Sequence, residues 1–261
     1  MDDGVGSGGM VEGSALEEAT GWIAAARRVT VLTGAGISTD SGIPDFRGPN
    51  GLWTKDPAAE AASTIGVYLA DPEVRKMAWR LRLSNPVWNA RPNSGHLALV
   101  ALERAGKLHA LVTQNVDELH QQAGNDPARV VEVHGTVRRT RCWECGDCRP
   151  MAETLARLEA GEEDPPCLVC GGILKSDTIS FGQQLIPEVI ERAFAAAEAC
   201  EVLLAVGSSL SVYPAASLVP CARAAGAKVV ILNGEPTAMD GFADALLIGP
   251  IGELLPTLVG A

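Results

Sequence analysis

Two pairs of cysteines in the middle of the chain share the pattern C-x-x-C-G. The pairs are Cys142 with Cys145 and Cys167 with Cys170, and a glycine follows each pair. Two residues between thiolates let one tight turn direct both sulfur atoms at one ion, and the glycine permits a positive φ in that turn. Four thiolates form the closed tetrahedron of a structural zinc site. We therefore predict one structural zinc ion bound by these four cysteines.

Cys148 leaves an alternative ligand set open. It forms a further C-x-x-C pair with Cys145, and its distance along the chain to Cys167 is equally suitable. Cys142 is preferred as the ligand because only that choice places a glycine after both pairs. Redox chemistry is a weaker interpretation, since two matched pairs indicate a metal.

A strand that ends in a glycine turn is the second place where the sequence indicates chemistry. After the apolar run VTVLT come Gly34, Ala35 and Gly36, whose small side chains let a ligand approach the backbone amides. The third glycine of the dinucleotide-binding fingerprint is absent. The following loop joins an acid, an aromatic ring and a guanidinium in Asp45, Phe46 and Arg47, which is typical of a binding loop.

Three other predicted strands also end in polar or glycine-rich clusters. They are Gln114 to Asp117, Gly207 to Ser209, and Asn233 to Glu235. In open parallel sheets, ligands bind at the carboxyl ends of the strands. Turn chemistry explains each cluster singly, but the set together predicts one ligand site at this edge of the sheet.

His134 is the best candidate for a general base among the four histidines. It ends the predicted strand Val130–Val133 and precedes Gly135, so it lies at the same edge as the polar clusters. A satisfied structural histidine is the competing interpretation. His96 begins a predicted helix, where a capping or packing role is expected.

The elements that must position these residues alternate between strands and helices. Apolar strands without a period of two predict a parallel sheet covered on both faces, an α/β fold. Strands are predicted near residues 29–33, 108–113, 130–133, 202–206 and 228–232, with helices near 14–26, 97–105, 187–199, 214–225 and 252–259. Residues 51–92 form a predicted insertion, and residues 1–13 a flexible tail.

Composition excludes several classes of function. The chain of 261 residues is 47% apolar, enough for a sizeable core. No uncharged apolar run approaches about 18 residues, so no membrane span is expected. The net charge of −11 argues against direct nucleic-acid binding. Seven cysteines without a secretory signal favour a reducing cytoplasm.

The motifs together resemble those of the sirtuins, the NAD-dependent protein deacylases, over about residues 15–259. The order and approximate spacing match. The matching pieces are Gly34 to Ser38, Gly42 to Gly48, Thr113 to Asp117, His134-Gly135, the two cysteine pairs, Phe181-Gly182, Gly207 to Leu210 and Leu232-Asn233. The segment 71–92 resembles bacterial members of the family, whereas Gly42 to Thr54 is closer to the branch with nuclear chromatin deacylases.

The resemblance implies a Rossmann-like doubly wound parallel sheet with a small zinc-binding module formed by insertions. It implies a large NAD-binding domain from residues 14–50, 93–134 and 179–261. The helical insertion 51–92 and the zinc module 135–178 would form the small domain. NAD would be a co-substrate, and acylated lysine side chains of proteins the partners.

The resemblance also implies site residues. The catalytic residues would be His134, as the general base, and Asn115, which with Asp117 would hold the nicotinamide amide and the ribose. NAD would contact Gly34, Ala35, Gly36, Ser38, Asp45, Phe46, Arg47, Gln114, Asn115, Asp117, Gly207, Ser208, Ser209, Asn233, Glu235 and Ile251. Phe181, Gly182 and Arg82 would contact the acyl-lysine substrate. Relatives that prefer acidic acyl groups have a tyrosine three residues before the arginine, where this chain has Trp79, which makes strong desuccinylase activity doubtful.

The implied activity is deacetylation of protein lysines, with release of nicotinamide and O-acetyl-ADP-ribose. The alternatives are removal of other acyl groups, mono-ADP-ribosyl transfer to protein, and a non-enzymatic NAD-sensing module. Mere sensing would not require Asn115, Asp117 and His134 together. A hydride-transferring dehydrogenase is less favoured still, because the fingerprint lacks its third glycine.

Overall fold

A six-stranded, all-parallel sheet forms the centre of the large layer in this computed structural model, which describes residues 8–45, 51 and 63–261. Each of the five neighbouring pairs is parallel. Side by side, the strands are β3 (Val130–Glu132), β2 (Leu108–Thr113), β1 (Val29–Thr33), β7 (Val202–Val206), β8 (Lys228–Asn233) and β9 (Ala245–Ile248).

Helices cover both faces of this sheet. Successive side chains of one strand enter different cores: Val202 and Leu204 belong to one buried cluster, and Leu203 and Ala205 to the other. On the first face pack α1 (Gly8–Ala25), α4 (Ser94–Arg104) and α9 (Ile251–Val259), and on the second α7 (Pro187–Ala199) and α8 (Leu218–Ala224). This double burial explains the apolar strands without alternation.

A three-stranded antiparallel sheet forms a second, smaller layer. Its strands, in spatial order, are β5 (Cys148–Pro150), β4 (Gly135–Cys142) and β6 (Leu174–Thr178), with α6 (Met151–Glu159) beside them. The insertion contributes α2 (Ile65–Ala70) and α3 (Pro72–Leu83). The Tyr68 hydroxyl of α2 donates to the carbonyl of Leu174, and Trp79 of α3 is fully buried beside Cys142 and Cys167.

The N-terminal prediction is wrong in part. Helix α1 begins at Gly8, so residues 8–13, which we predicted as a flexible tail, are helical. Ser14 and Glu17 have the spacing of a capping box, yet both lie inside the helix. A serine there lowers helix stability by only a fraction of a kcal/mol relative to alanine, so the helix can continue through it. Likewise α4 begins at Ser94, because Asn93 rather than a later residue is its N-cap.

The described residues contain no helix that is both long and apolar enough to cross a bilayer.

Strand β9 and helix α6 were not predicted from sequence. The short helix α5 (Leu119–Ala123) follows the polar cluster at the end of β2. Chain segments that leave the carboxyl ends of the large sheet line a cleft at this edge.

Candidate active site

A cleft of ≈ 1290 Å³ lies at the carboxyl edge of the large sheet and extends to the small antiparallel layer. The loops after β1, β2, β7 and β8 form one wall, and residues of α3, β4 and β6 form the other. The predicted site residues that line it are Gly34, Ala35, Gly36, Asp45, Arg82, Gln114, Asn115, His134, Phe181, Gly182, Gly207, Ser208, Ser209, Asn233, Glu235 and Ile251. Phe46 and Arg47 lie outside the described residues.

Three glycines allow the loops after β1 and β7 to touch. The Gly36 N–H donates to the Gly207 carbonyl at 2.8 Å. A Cβ atom on Gly34 or Gly36 would lie 2.7–2.9 Å from backbone or side-chain atoms of residues 207 and 208. Gly207 has φ +64°, and a Cβ there would lie 2.5 Å from the amide nitrogen of Ile37. The small residues are therefore required for loop-to-loop contact, and the Gly36 amide is already engaged.

A buried hydrogen-bonded group lies directly behind the wall. The Asn115 side-chain amide donates to the Gly34 carbonyl at 3.1 Å and to the Ser38 hydroxyl at 3.2 Å. Ser38 in turn donates to the Asp117 carboxylate at 2.8 Å, which also accepts from the Leu119 N–H. Burial raises the pKa of Asp117, and these bonds oppose that shift. Ser38 and Asp117 are not part of the cleft lining; they hold Asn115 from behind.

One polar contact of the wall joins two strand ends, and another lies within a single loop. The Gln114 side-chain amide donates to the Ser208 hydroxyl at 2.9 Å, which joins the ends of β2 and β7. Farther along, the Asn233 amide donates to the carbonyl of Glu235 at 2.7 Å. This hydrogen bond within the loop after β8 stabilises its conformation, and residues of the loop line the cleft.

His134 lies half-buried where β3 passes into β4 and lines the cleft. Its Nδ1–H donates to the backbone carbonyl of Gln114 at 3.0 Å. This bond fixes the neutral tautomer in which Nε2 carries the lone pair. Burial lowers the pKa of His134, and the bond to Gln114 opposes that shift. The imidazole is therefore neutral at pH 7 and able to accept a proton at Nε2.

The wall opposite the sheet contains Arg82 on α3. One guanidinium nitrogen, Nη2, donates to the Ser176 hydroxyl at 3.1 Å, while Nη1 is buried without a hydrogen-bond partner. The guanidinium lies over the rings of Tyr68 and Trp79, 5.6 and 5.0 Å from their centroids. Trp79 itself does not line the cleft but belongs to the core of the small layer.

The four predicted zinc ligands come together in the small layer. Their sulfur atoms all lie within 4.8 Å of one another, with Cys142 to Cys170 at 3.5 Å and Cys145 to Cys167 at 3.7 Å. A ZnS₄ tetrahedron with bonds near 2.3 Å requires sulfur separations of about 3.8 Å. The residues present therefore fit one zinc ion.

The glycine argument for choosing these ligands is also confirmed. Gly146 and Gly171 have φ of +74° and +76°, and backbone N–H groups reach the sulfurs of Cys142 and Cys167. Cys148 lies outside the cluster, where its thiol contacts Asp177.

Asn93 is a site residue that the sequence argument missed. As the N-cap of α4 it also donates from Nδ2 to the Ile37 carbonyl at 2.8 Å and to the Ser41 hydroxyl at 2.9 Å. It thereby fixes the 3₁₀ helix Ala35–Ser41 in the cleft wall. The Asn-Ser-Gly-His pattern signals an N-cap, but no sequence signal reveals the contact across 52 residues.

A family model and curated relatives identify the family of this chain. The model of the Sir2 family matches residues 34–214. The "NAD-dependent protein deacetylase 2" of Streptomyces coelicolor is 51% identical over 231 residues, 88% of this chain and 96% of that protein. The "NAD-dependent protein deacetylase 1" of Bradyrhizobium diazoefficiens is 41% identical over 95% of this chain and 96% of its own length.

Solved structures of the same family are similar to this chain in fold. A structure described as the basis for the mechanism and regulation of Sir2 enzymes has a TM-score of 0.85 at 38% identity and covers 95% of this chain and 97% of its own. A Sir2 complex with a p53 peptide and NAD⁺ has a TM-score of 0.84 at 31% identity, with 94% and 97% covered. This chain belongs to the Sir2 family.

Proposed function

We propose that the chain is an NAD-dependent protein-lysine deacetylase. The observation that carries this proposal is the neutral His134, whose Nδ1–H is held by the Gln114 carbonyl while Nε2 can accept a proton in a cleft lined by strand-end loops. The names of the relatives, NAD-dependent protein deacetylases, support it.

The strand-end wall would hold NAD. The carboxyl edge of a parallel sheet is where nucleotides bind in such folds. Gly34 to Gly36, Ser208 and Ser209 would lie along the diphosphate and its ribose, with Asn233, Glu235 and Ile251 towards the adenosine. Phe46 and Arg47 remain predicted contacts. When bound, NAD would supply an ADP-ribosyl group that accepts the acetyl group once nicotinamide has left, while one water molecule is consumed and the lysine amine is released.

The chain's own residues would do the remaining work. Asn115, fixed by Gly34 and Ser38, would orient the nicotinamide end of NAD with Gln114. His134 would take a proton at Nε2 from a ribose hydroxyl, which frees that oxygen to bond to the acyl carbon. Asp117 would act through Ser38 and Asn115 rather than by direct contact, because it lies behind the wall.

The acyl-lysine would enter past Phe181 and Gly182. Phe181 is 39% exposed and lies on the cleft, in a segment that pairs with Thr64 as an isolated parallel bridge. The Phe181 N–H donates to the Ser63 carbonyl and the Ile65 N–H to the Phe181 carbonyl, both at 2.9 Å. An extended edge of this kind suits a peptide that carries the modified lysine.

For this function we propose the same division into two domains that the sequence predicts. The large domain (residues 14–50, 93–134 and 179–261) would bind NAD, and the small domain (51–92 and 135–178) would bear the zinc and close the cleft. We expect a cytoplasmic transferase that acts on proteins. The net charge of −11 gives no basis for direct nucleic-acid binding and suits lysine-rich substrates.

Product analysis tests the proposal. The protein is incubated with an acetyl-lysine peptide, with and without NAD, and all products are weighed by mass spectrometry. We expect a peptide lighter by one acetyl group, with nicotinamide and O-acetyl-ADP-ribose, only when NAD is present. Transfer of ADP-ribose to protein with the acetyl group intact would instead support the mono-ADP-ribosyltransferase. Binding of NAD without turnover would support the sensing module.

Arg82 favours a second candidate, removal of acyl groups that end in a carboxylate. Its guanidinium lines the cleft, and Nη1 is buried without a partner. A buried cation without a carboxylate is costly, so an anionic acyl group would gain an ion pair there. The absence of a tyrosine at residue 79 leaves Arg82 to act without a phenol.

Matched variants test this second candidate. Arg82→Met should lower desuccinylation at least about tenfold more than deacetylation, the loss of one charge-assisted hydrogen bond. Arg80→Met, on the same helix with a 66% exposed side chain, should leave the ratio of the two activities unchanged. The candidate fails if the wild type does not remove succinyl groups or if both variants give the same ratio.

A further inference from the structure

Two buried histidines stand beneath the cleft and have no part in the proposed chemistry. His96 in the first turn of α4 and His120 in α5 are 0% and 1% exposed. Their ring centroids are 4.9 Å apart. Each ring also has one buried nitrogen without a hydrogen-bond partner, Nε2 of His96 and Nδ1 of His120. Polar side chains this deeply buried are normally retained for the bonds they make.

The hydrogen bonds around His120 have a direction. The Thr33 hydroxyl donates to Oγ1 of Thr113 at 2.8 Å, so its own oxygen is left to accept from His120 Nε2–H at 3.0 Å. The Asn115 backbone N–H then donates to the same Thr113 oxygen at 3.0 Å. A continuous chain of bonds thus runs from the imidazole through two strand-end hydroxyls to the backbone of Asn115.

His96 links the histidine pair to the 3₁₀ helix after β1 through Asn93. Its Nδ1 lies 3.3 Å from the Asn93 backbone nitrogen and 3.1 Å from Asn93 Oδ1, so either tautomer of the ring is bound to the N-cap residue of α4. Burial lowers the pKa of both rings, that of His96 to about 4, so both are neutral at pH 7.

The hydrogen-bonded residues around the two histidines form a buried polar layer, and both ends of this layer contact the cleft wall proposed to hold NAD. On one side Asn93 holds Ile37 and Ser41 of the 3₁₀ helix after β1. On the other, Asn115 donates from its side chain to Gly34 and Ser38 of the same helix and its approach. The loops that follow β1 and β2 are therefore set by one buried polar layer with the histidine pair at its centre.

We propose that His120 is a positioning residue for NAD: acting through the hydroxyls of Thr33 and Thr113, it fixes Asn115 in the cleft wall. His96 supports His120 from the adjacent ring. The inference rests on the proposed function, because it assigns Asn115 to the nicotinamide end of NAD. Loss of the Thr113 hydroxyl leaves the Asn115 N–H buried without an acceptor, and loss of the His120 imidazole leaves the Thr33 hydroxyl that bonds to Thr113 without its donor. In both cases the loop relieves the cost by moving.

Four variants and one control test the inference. Thr113→Val removes one hydroxyl at nearly constant volume, and Thr113→Ser restores it. His120→Leu removes the imidazole donor, and His120→Gln keeps an N–H that reaches Thr33. Thr30→Val is the control: Thr30 lies fully buried on the same strand β1, but its hydroxyl bonds to the Ala196 carbonyl under α7, away from the cleft.

The measurements are the Kd of NAD by calorimetry, KM for NAD and for acetyl peptide, and Tm. Thr113→Val and His120→Leu should each raise the Kd and KM of NAD about tenfold, the loss of one buried hydrogen bond, with KM for peptide changed less than about twofold. Thr113→Ser and His120→Gln should recover most of the affinity. Both residues act through the same series of hydrogen bonds. The double variant Thr113→Val/His120→Leu should therefore bind NAD no more weakly than the more impaired of the two single variants.

The inference is overturned if Thr113→Val and His120→Leu lower Tm as Thr30→Val does but leave the affinity for NAD unchanged. It is also overturned if the double variant shows the product of the two single effects. If His120→Leu does not fold, Thr33→Val decides in its place, because it breaks the bond by which His120 acts toward Asn115: unchanged affinity for NAD in that variant overturns the inference. The wild type separates this inference from the proposed function: deacetylation with unaltered variant affinities refutes only the inference, and no NAD binding by the wild type refutes both.

Discussion

The four-cysteine cluster and the cleft at the strand ends are assembled on different scales. All four zinc ligands fall within residues 142–170, in two turns of the same pattern, and a single antiparallel sheet brings the turns together. The cleft takes its residues from positions 34 to 251, across six strand ends and an insertion. A local site is defined by its own spacing, whereas a distributed site depends on how every supporting loop packs.

The largest effect that tests this contrast is removal of the local site. Cys170→Ser should abolish stoichiometric zinc and lower deacetylation on the order of 100-fold or more, because α3, which bears Arg82, packs on the core around Cys142 and Cys167. Metal analysis and the peptide assay check this. Cys148→Ser, outside the cluster, is the control and should retain zinc. Full activity without zinc would mean that the cleft does not depend on the small layer.

An intermediate effect tests the distributed site at its tightest contact. Gly207→Ala should lower the free energy of unfolding by about 3 kcal/mol, because residue 207 has φ +64° and its Cβ would lie 2.5 Å from the Ile37 nitrogen. Thermal unfolding and NAD titration measure the change. Gly21→Ala, in α1 with no atom within 4 Å of the new Cβ, should be neutral or stabilising. Equal stability of the two variants would contradict the loop-contact account.

The smallest effect concerns pH. His134 must be neutral to accept a proton, so activity is lost as pH falls through its pKa and is retained above it. Because burial lowers that pKa, the acid limb of the kcat/KM profile should have its midpoint below 6.5. A midpoint at or above 7 would show that another group, or a charged His134, controls the reaction.

The same contrast explains how far the sequence could predict the molecule. The zinc ligands, including the preference over Cys148, follow from residue spacing and the glycine turns alone. The bounds of β2, β7 and α7 also follow, because their apolar runs and an initial proline define them locally. Sequence likewise predicted that the strand-end clusters would share one edge, since parallel topology requires it.

What the sequence could not predict is which members of those clusters face the ligand. Ser38 and Asp117 have the same residue types as their neighbours, yet neither lines the cleft. Ser38 lies behind Asn115, from which it accepts a hydrogen bond, and Asp117 lies behind Ser38, whose hydroxyl donates to it. Asn93 and the histidine pair act across separations of tens of residues. The start of α1 differs from its predicted position near residue 14 for another reason. A capping pattern only weakly favours a helix start when the preceding residues can also be helical.

The measurement that tests the central claim most directly is acetyl removal by the His134→Ala variant. The account predicts that the rate of peptide deacetylation, followed by mass spectrometry at saturating NAD, falls about 100- to 10,000-fold while thermal unfolding shows a folded protein. His109→Gln, near the opposite end of β2, is the matched control and should retain activity. Deacetylation by His134→Ala at close to the wild-type rate would contradict the account, because no proton acceptor would then be needed at this position.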